Sequence, residues 1–419
     1  MSDMRIYDSA KARYEDLGVD VDAALRTLKQ IPLSIHCWQG DDVGGFERPD
    51  AALGGGGIQV TGNYPGKARS PEELRQDLET MYAMLPGSHR LALHASYGEF
   101  GGTVVDRDRV EPSHFEGWTA WAKEMGIGLD FNSTYFSHPK ADDGYTLSSK
   151  DEGIRGFWIE HAKRCREISA FMGRETGSAC IHNVWIPDGD KDYPSDRMGY
   201  RTILTDALDE VFRTEYPAGE MKDAVECKLF GIGSEAFVVG SHEFYLGYAV
   251  SRKKVLCLDL GHFHPTELLA DKISATLLFV KELLLHVSRP MRWDSDHVVV
   301  LSDDIRMLCE ELVRSGRLDD IHIGLDFFDG TLNRIGAWAI GARATLKGLL
   351  LALLQPQKLL IEYEQQGDFF GRLALLEQLK SMPFGAIWDY YCESAGVPTE
   401  AEVISTAHEY EKSVLSKRS

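Results

Sequence analysis

Acids and imidazoles recur at one kind of position in this 419-residue chain, at or just after the ends of short apolar runs. The run at 224–230 carries Glu226, Cys227 and Lys228, and the run at 255–260 carries Asp259 and leads into His262. The run at 283–287 carries His286 and leads on to Asp294 and Asp296, and the run at 321–327 carries Asp326. Carboxylates are almost never buried without a partner, and a divalent cation is the simplest partner for so many. Carboxylate oxygen mixed with imidazole nitrogen, with no thiolate pair beside it, points to manganese, magnesium or cobalt, with zinc also admitted. The ligands suffice for two ions that share or flank the same carboxylates. Any one of these side chains alone could be a cap, a turn residue or a surface ion pair. Their recurrence at four successive run ends carries the reading. His297 and His322 are read as structural, because the set is complete without them.

Lys228 stands two residues beyond Glu226 and so faces the same side of a strand. It could polarise a substrate oxygen or pair with Glu226. His94, Tyr97, Phe131 and Trp185 fall at other run ends, where rings can stack on a sugar, exclude water or simply pack. The first run is followed by His36-Cys37-Trp38-Gln39-Gly40-Asp41-Asp42, then by a glycine-rich stretch to Gly57 and on to Lys67. That is long for a strand-to-helix connection, and such loops are often lids. It is not a phosphate loop: Thr61 stands where the first glycine is required, and Ala68 where Ser or Thr is.

These positions presuppose strands to carry them. Apolar runs at 31–38, 91–96, 127–131, 181–186, 224–230, 255–260, 283–287 and 321–327 suit parallel strands buried on both faces, and 298–301 is a possible ninth. Helix signals lie between them. Ser70-Pro71-Glu72-Glu73 offers a cap, a first-turn proline and a capping-box glutamate before the stripe Leu74, Leu78, Met81, Tyr82, Leu85. Ser113 and Glu116 repeat the device before Phe115, Trp118, Ala122 and Met125. Alternation of this kind predicts an α/β fold, a (β/α)8 TIM barrel, with a doubly wound sheet as the alternative. Residues 1–30 read as helical, capped by Asp20 or Asp22, and belong with the catalytic barrel over 1–341. Residues 342–419 read as the last barrel helix plus a helical extension broken near Pro356, Pro383 and Pro398.

Net charge is −20, which argues against binding nucleic acid or anionic lipid and suits a neutral or cationic small ligand. Seven scattered cysteines, none in a CxxC pair, indicate reduced buried thiols in the cytoplasm rather than disulfides or a zinc ribbon. The N-terminus lacks a signal-peptide core, and no uncharged apolar stretch is long enough to span a membrane.

The loop motif at 36–42 recurs in a known family, together with Thr61-Gly62-Asn63-Tyr64-Pro65-Gly66-Lys67 and Lys228-Leu229-Phe230-Gly231-Ile232-Gly233. So do Asp259-Leu260-Gly261-His262-Phe263-His264-Pro265-Thr266-Glu267, Arg292-Trp293-Asp294-Ser295-Asp296-His297 and His322-Ile323-Gly324-Leu325-Asp326-Phe327-Phe328-Asp329. In this order, from about residue 8 to the C-terminus, they resemble bacterial L-rhamnose isomerase. The resemblance implies a (β/α)8 barrel like that of xylose isomerase, two metal ions per chain, usually manganese, and a homotetramer. It implies a structural metal on Glu226, Asp259, His286 and Asp326, and a catalytic metal on His262, Asp294 and Asp296. Lys228 would meet the sugar near O1, and His94, Tyr97, Phe131 and Trp185 would line its pocket. Val43, Leu53 and Ile58 would lie in a lid over the sugar's methyl end. The glycine run at 54–57 is one glycine richer than the family pattern, which bears on the lid alone.

The expected activity is therefore interconversion of L-rhamnose and L-rhamnulose. A hydride shift is favoured over an enediol, since no strand-end carboxylate is left over as a carbon base. A two-metal epimerase or hydrolase on the same barrel and a non-catalytic sugar-binding protein are the alternatives.

Overall fold

The computed structural model describes residues 4–47, 62–229, 236–291 and 295–418. Eight short strands pair in chain order, all parallel, and the last closes on the first to form a barrel. They are β1 (Pro32–His36), β2 (Ser88–His94), β3 (Gly128–Asn132), β4 (Cys180–Val184), β5 (Met221–Glu226), β6 (Val255–Asp259), β7 (Leu283–Val287) and β8 (Ile321–Leu325). All eight expected runs are strands. The run at 298–301 is not, and only an isolated bridge between Arg289 and His297 lies beside it. Val298 and Val299 are buried in the main core without pairing, and an apolar run reads the same whether it pairs or only packs.

Strand alternation sorts the side chains into two populations. Ile181, Ala224, Val255, Cys257 and Leu284 form a small cluster of their own, the barrel interior. The alternate residues, such as Leu93, Leu129, Phe131 and Val184, belong to the large core shared with the helices. Two residues on from the interior positions, on the same inward face, stand Asn183, Glu226, Asp259 and His286. The barrel thus delivers these polar groups to the C-terminal mouth of the strands, where such folds place their chemistry.

The helices follow local signals with one exception. Ser70 caps the helix Pro71–Tyr82 by accepting from the Glu73 amide at 3.3 Å, and Glu73 reaches back to the Arg69 amide at 2.8 Å. Leu74, Leu78, Met81, Tyr82 and Leu85 are all buried. The second capping device is not Ser113 with Glu116. Pro112 starts a 3-10 turn one residue earlier, so the box is formed by Glu111 and His114, and the helix Glu116–Met125 follows. At the N-terminus, Asp20 caps Val21–Gln30, while Asp22 instead accepts from Lys11 at 2.6 Å.

The last barrel helix, Arg334–Leu353, runs unbroken through position 341. It is long and apolar enough to cross a bilayer by length and composition, yet 78% of that window is buried inside the molecule. Helices Gln357–Gln365, Phe369–Leu379, Phe384–Ser394 and Glu400–Ser413 follow. Breaks fall at Pro356, Pro383 and Pro398, and one more at Gly367 and Asp368. There a left-handed glycine (φ 72) ends one helix, and the aspartate caps the next through the Gly371 amide at 2.8 Å. The chain end is fastened down. Arg418 donates to Asp77 at 2.6 Å and to the Gly66 carbonyl at 3.3 Å, and the Tyr410 hydroxyl donates to Asp77 at 2.7 Å. All seven cysteines are buried and unpaired.

Candidate metal centre

At the C-terminal mouth, four consecutive strands converge on one point. Glu226 closes β5, Asp259 closes β6, His286 lies in β7 and Asp326 follows β8. Each offers a ligand atom, and these atoms all lie within 4.8 Å of one another. His286 Nδ1 stands 3.1 Å from Glu226 Oε1, 3.3 Å from Asp326 Oδ2 and 3.8 Å from Asp259 Oδ2. Cys257, one inward position below Asp259, forms a second close group with Glu226 and His286. Burial opposes charge on His286, but Cys257, Glu226 and a hydrogen bond to Asp326 outweigh it and hold its pKa well above the usual imidazole value. Three carboxylates around one imidazole form a pocket of negative potential. That donor set, oxygen-rich with one nitrogen, fits a divalent cation of the manganese or magnesium type.

Asn183 was not among the expected residues. Its Nδ2 donates to Glu226 Oε2 at 2.5 Å, which fixes that carboxylate from behind. The signal was present in the fourth run, because Asn183 continues the inward parity of Ile181, but an amide does not stand out among acids and imidazoles. His262 sits in the turn after β6, its amide donating to the Asp259 carbonyl at 3.3 Å and its Nδ1 lying 3.5 Å from Glu226 Oε1. Asp259 is steadied by the Gly261 amide at 2.5 Å. Asp296 is half-buried in a left-handed conformation (φ 41), and its carbonyl accepts from the Phe328 amide at 2.9 Å. Asp294 lies outside the described residues, as do Leu53 and Ile58. His322, at the opposite end of the barrel, contacts Glu282 at 2.8 Å, and His297 contacts Ser295 at 3.1 Å.

The pocket-lining expectations divide. Lys228 is buried, its Nζ donating to the Pro187 carbonyl at 3.2 Å and lying 5.9 Å from the Trp185 ring centre. His94 closes β2 on the inward face, with Nδ1 3.1 Å from the Thr134 hydroxyl and ring contacts to Trp38 and Phe136. Burial pushes its pKa down to about 3, so it is a neutral imidazole. Trp185 follows β4 beside Phe136, and its buried Nε1 has no hydrogen-bond partner among the described residues. Phe131 is not with them. It takes the outward parity of β3 and packs edge-on against Phe115 at 5.0 Å, in the layer between strands and helices. The Tyr97 hydroxyl donates to Asp41 Oδ1 at 2.6 Å, in the loop after β1. Val43 is half-buried in the loop after β1 with φ 59.

Asp41 organises the root of that loop, accepting from Tyr97 and, at 2.7 Å, from the Gly45 amide. Burial raises its pKa to about 7 against the pull of these two hydrogen bonds. The folded value thus exceeds the unfolded one, about 4. Its contribution to stability is fully present below about pH 4 and is lost as pH rises toward about 7. Asp41→Asn keeps an acceptor for Gly45 and a polar contact for Tyr97 without the charge. Denaturant titrations across this window are expected to show the variant gaining on the wild type as pH rises. A stability difference independent of pH would refute this account of Asp41.

A family model described as L-rhamnose isomerase (RhaA) matches residues 1–418. An L-rhamnose isomerase of Rhodopirellula baltica is 56% identical over 415 residues, covering 99% of this chain and 97% of its own. Those of Yersinia pseudotuberculosis and Listeria innocua are 55% and 53% identical over 412 residues, each alignment covering 98% of both chains. With a match along nearly its whole length and four candidate strand-end ligands gathered on one point, the chain belongs to the L-rhamnose isomerase family.

Proposed function

We propose that this protein interconverts L-rhamnose and L-rhamnulose as a metal-dependent aldose–ketose isomerase. The observation that carries the reading is the convergence of Glu226, Asp259, His286 and Asp326 in a chain of this family. Those four residues would hold one divalent ion, with manganese favoured, and His262, Asp294 and Asp296 would hold a second. When bound, the ions supply Lewis-acid stabilisation of charge on adjacent sugar oxygens.

The chain's own groups do the rest. Lys228, held against Trp185 and the Pro187 carbonyl, presents a fixed positive charge to the sugar near O1. His94 and Trp185 form the inward wall, and the neutral His94 offers a hydrogen bond without adding charge. The reaction moves a hydrogen with its electron pair between C1 and C2, and a proton between O1 and O2. Asp294 and Asp296 serve the proton exchange. Val43, Leu53 and Ile58 give the sugar's methyl end an apolar contact. Exposed Phe369, Phe370 and Leu373 leave an apolar face on helix Phe369–Leu379 that supports assembly into a homotetramer. Reduced buried cysteines support a cytoplasmic protein.

The test is a product assay in heavy water. Metal-loaded protein is expected to convert L-rhamnose to the ketose without placing solvent deuterium on C1. An epimer or a hydrolysis product would overturn the isomerase reading. Solvent deuterium in the ketose would overturn the hydride shift alone.

A further inference from the structure

Away from the metal ligands, the most elaborate buried charge near the barrel mouth is Arg107, in the short turn Arg107–Arg109. Its side chain is 2% exposed and faces Glu47, which is 8% exposed. One edge of the guanidinium forks onto that carboxylate, with Nη2 2.6 Å from Oε1 and Nε 3.1 Å from Oε2. The remaining nitrogen, Nη1, donates to two backbone carbonyls, Thr134 at 2.8 Å and Phe136 at 2.5 Å. One planar group therefore ties the loop after β1, through Glu47, to both sides of residue 135 in the loop after β3.

A second frame locks the same segment. His161, on the long outer helix Glu152–Thr176, donates from Nδ1 to the Arg107 carbonyl at 2.9 Å and accepts at Nε2 from the Thr134 amide at 3.0 Å. That pair of bonds requires one neutral tautomer, and burial holds His161 neutral, with a pKa of about 3. Thr134 and Phe136 are the residues behind the inward wall. The Thr134 hydroxyl meets His94 Nδ1 at 3.1 Å, and the Phe136 ring meets His94 at 5.4 Å and Trp185 at 6.4 Å between ring centres.

We propose that Arg107 is a positioning residue of the sugar site, clamping the loop after β3 so that His94 and Trp185 are held at the angle that receives the sugar. The inference rests on the reading that those two side chains line the sugar pocket. Lysine cannot substitute, because a single ammonium carries the charge to Glu47 but lacks the planar fork that also reaches two carbonyls.

Arg107→Lys tests the fork while keeping the charge beside Glu47, and Glu47→Gln tests the anchor while keeping the arginine. Both are expected to raise KM for L-rhamnose about tenfold while leaving kcat within about twofold, the pattern of lost binding rather than lost chemistry. Bound metal per chain, measured by atomic absorption, is expected to stay at the wild-type value, since the clamp touches no metal ligand. A loss of folded fraction alone would lower the apparent kcat and leave KM unchanged, the reverse of this split. Trp185→Ala is assayed in parallel. If it raises KM and the two clamp variants do not, the positioning role is overturned while the pocket reading stands. If Trp185→Ala also leaves KM unchanged, the pocket reading falls and the inference with it.

Discussion

Treated with a chelator and freed of divalent ions, the protein is expected to lose L-rhamnose isomerisation by at least about 10³-fold and to regain it on addition of manganese. The magnitude follows from the charge stabilisation a bound ion supplies, several kcal/mol, at about 1.4 kcal/mol per factor of ten. The structural reason is the crowding of Glu226, Asp259 and Asp326 around His286, with all four ligand atoms within 4.8 Å of one another. Without a cation, these crowded carboxylates repel one another, and a proton on His286 offsets only part of that. Chelation should therefore also lower the thermal midpoint, and adding metal should raise it in a concentration-dependent way, as for any ligand that binds only the folded state. Undiminished turnover in protein shown by elemental analysis to be free of metal would end the metal-dependent reading.

His262→Ala is expected to be nearly as damaging to turnover, about 10³-fold, while leaving roughly one tightly held ion per chain. His262 stands at the edge of the cluster, 3.5 Å from Glu226, and is not one of the four converging ligands. With Asp294 and Asp296 it is proposed to hold the second ion, the one that meets the sugar. The comparison variant is His286→Ala, which removes a central ligand and should release the tightly held ion. Were metal analysis to show both ions lost from His262→Ala, the division into two sites with separate roles would be wrong.

Much of this architecture is legible from the order of residues. Parallel barrel strands are buried on both faces, so each appears as a short apolar run. The candidate ligands stand out because an acid or imidazole at the end of such a run enters a buried mouth, where its charge must be met by a cation or a hydrogen-bonding partner. What is not legible depends on facing. Phe131 and His94 both stand at run ends, yet one packs outward on Phe115 and the other inward at the mouth, a difference of one residue in parity that a hydrophobic run hides. Tyr97 reads as an aromatic for a sugar, but its hydroxyl is committed to Asp41, a partner 56 residues away. Asn183 and Arg107 are hidden in the sequence for a related reason. Their importance lies in what they hold, Glu226 in one case and the backbone at Thr134 and Phe136 in the other, and contacts that distant in the chain leave no local pattern.

The fastening of Arg418 to Asp77 spans 341 residues, nearly the length of the polypeptide. Ring closure is almost as distant, since β1 pairs with β8. During synthesis the ring cannot close until β8 has followed β1 by about 290 residues, so the nascent barrel stays open along the β1 edge until then. The contact at Arg418, further along the chain than β8, then acts as a buckle that can be drawn tight only after the ring is able to close.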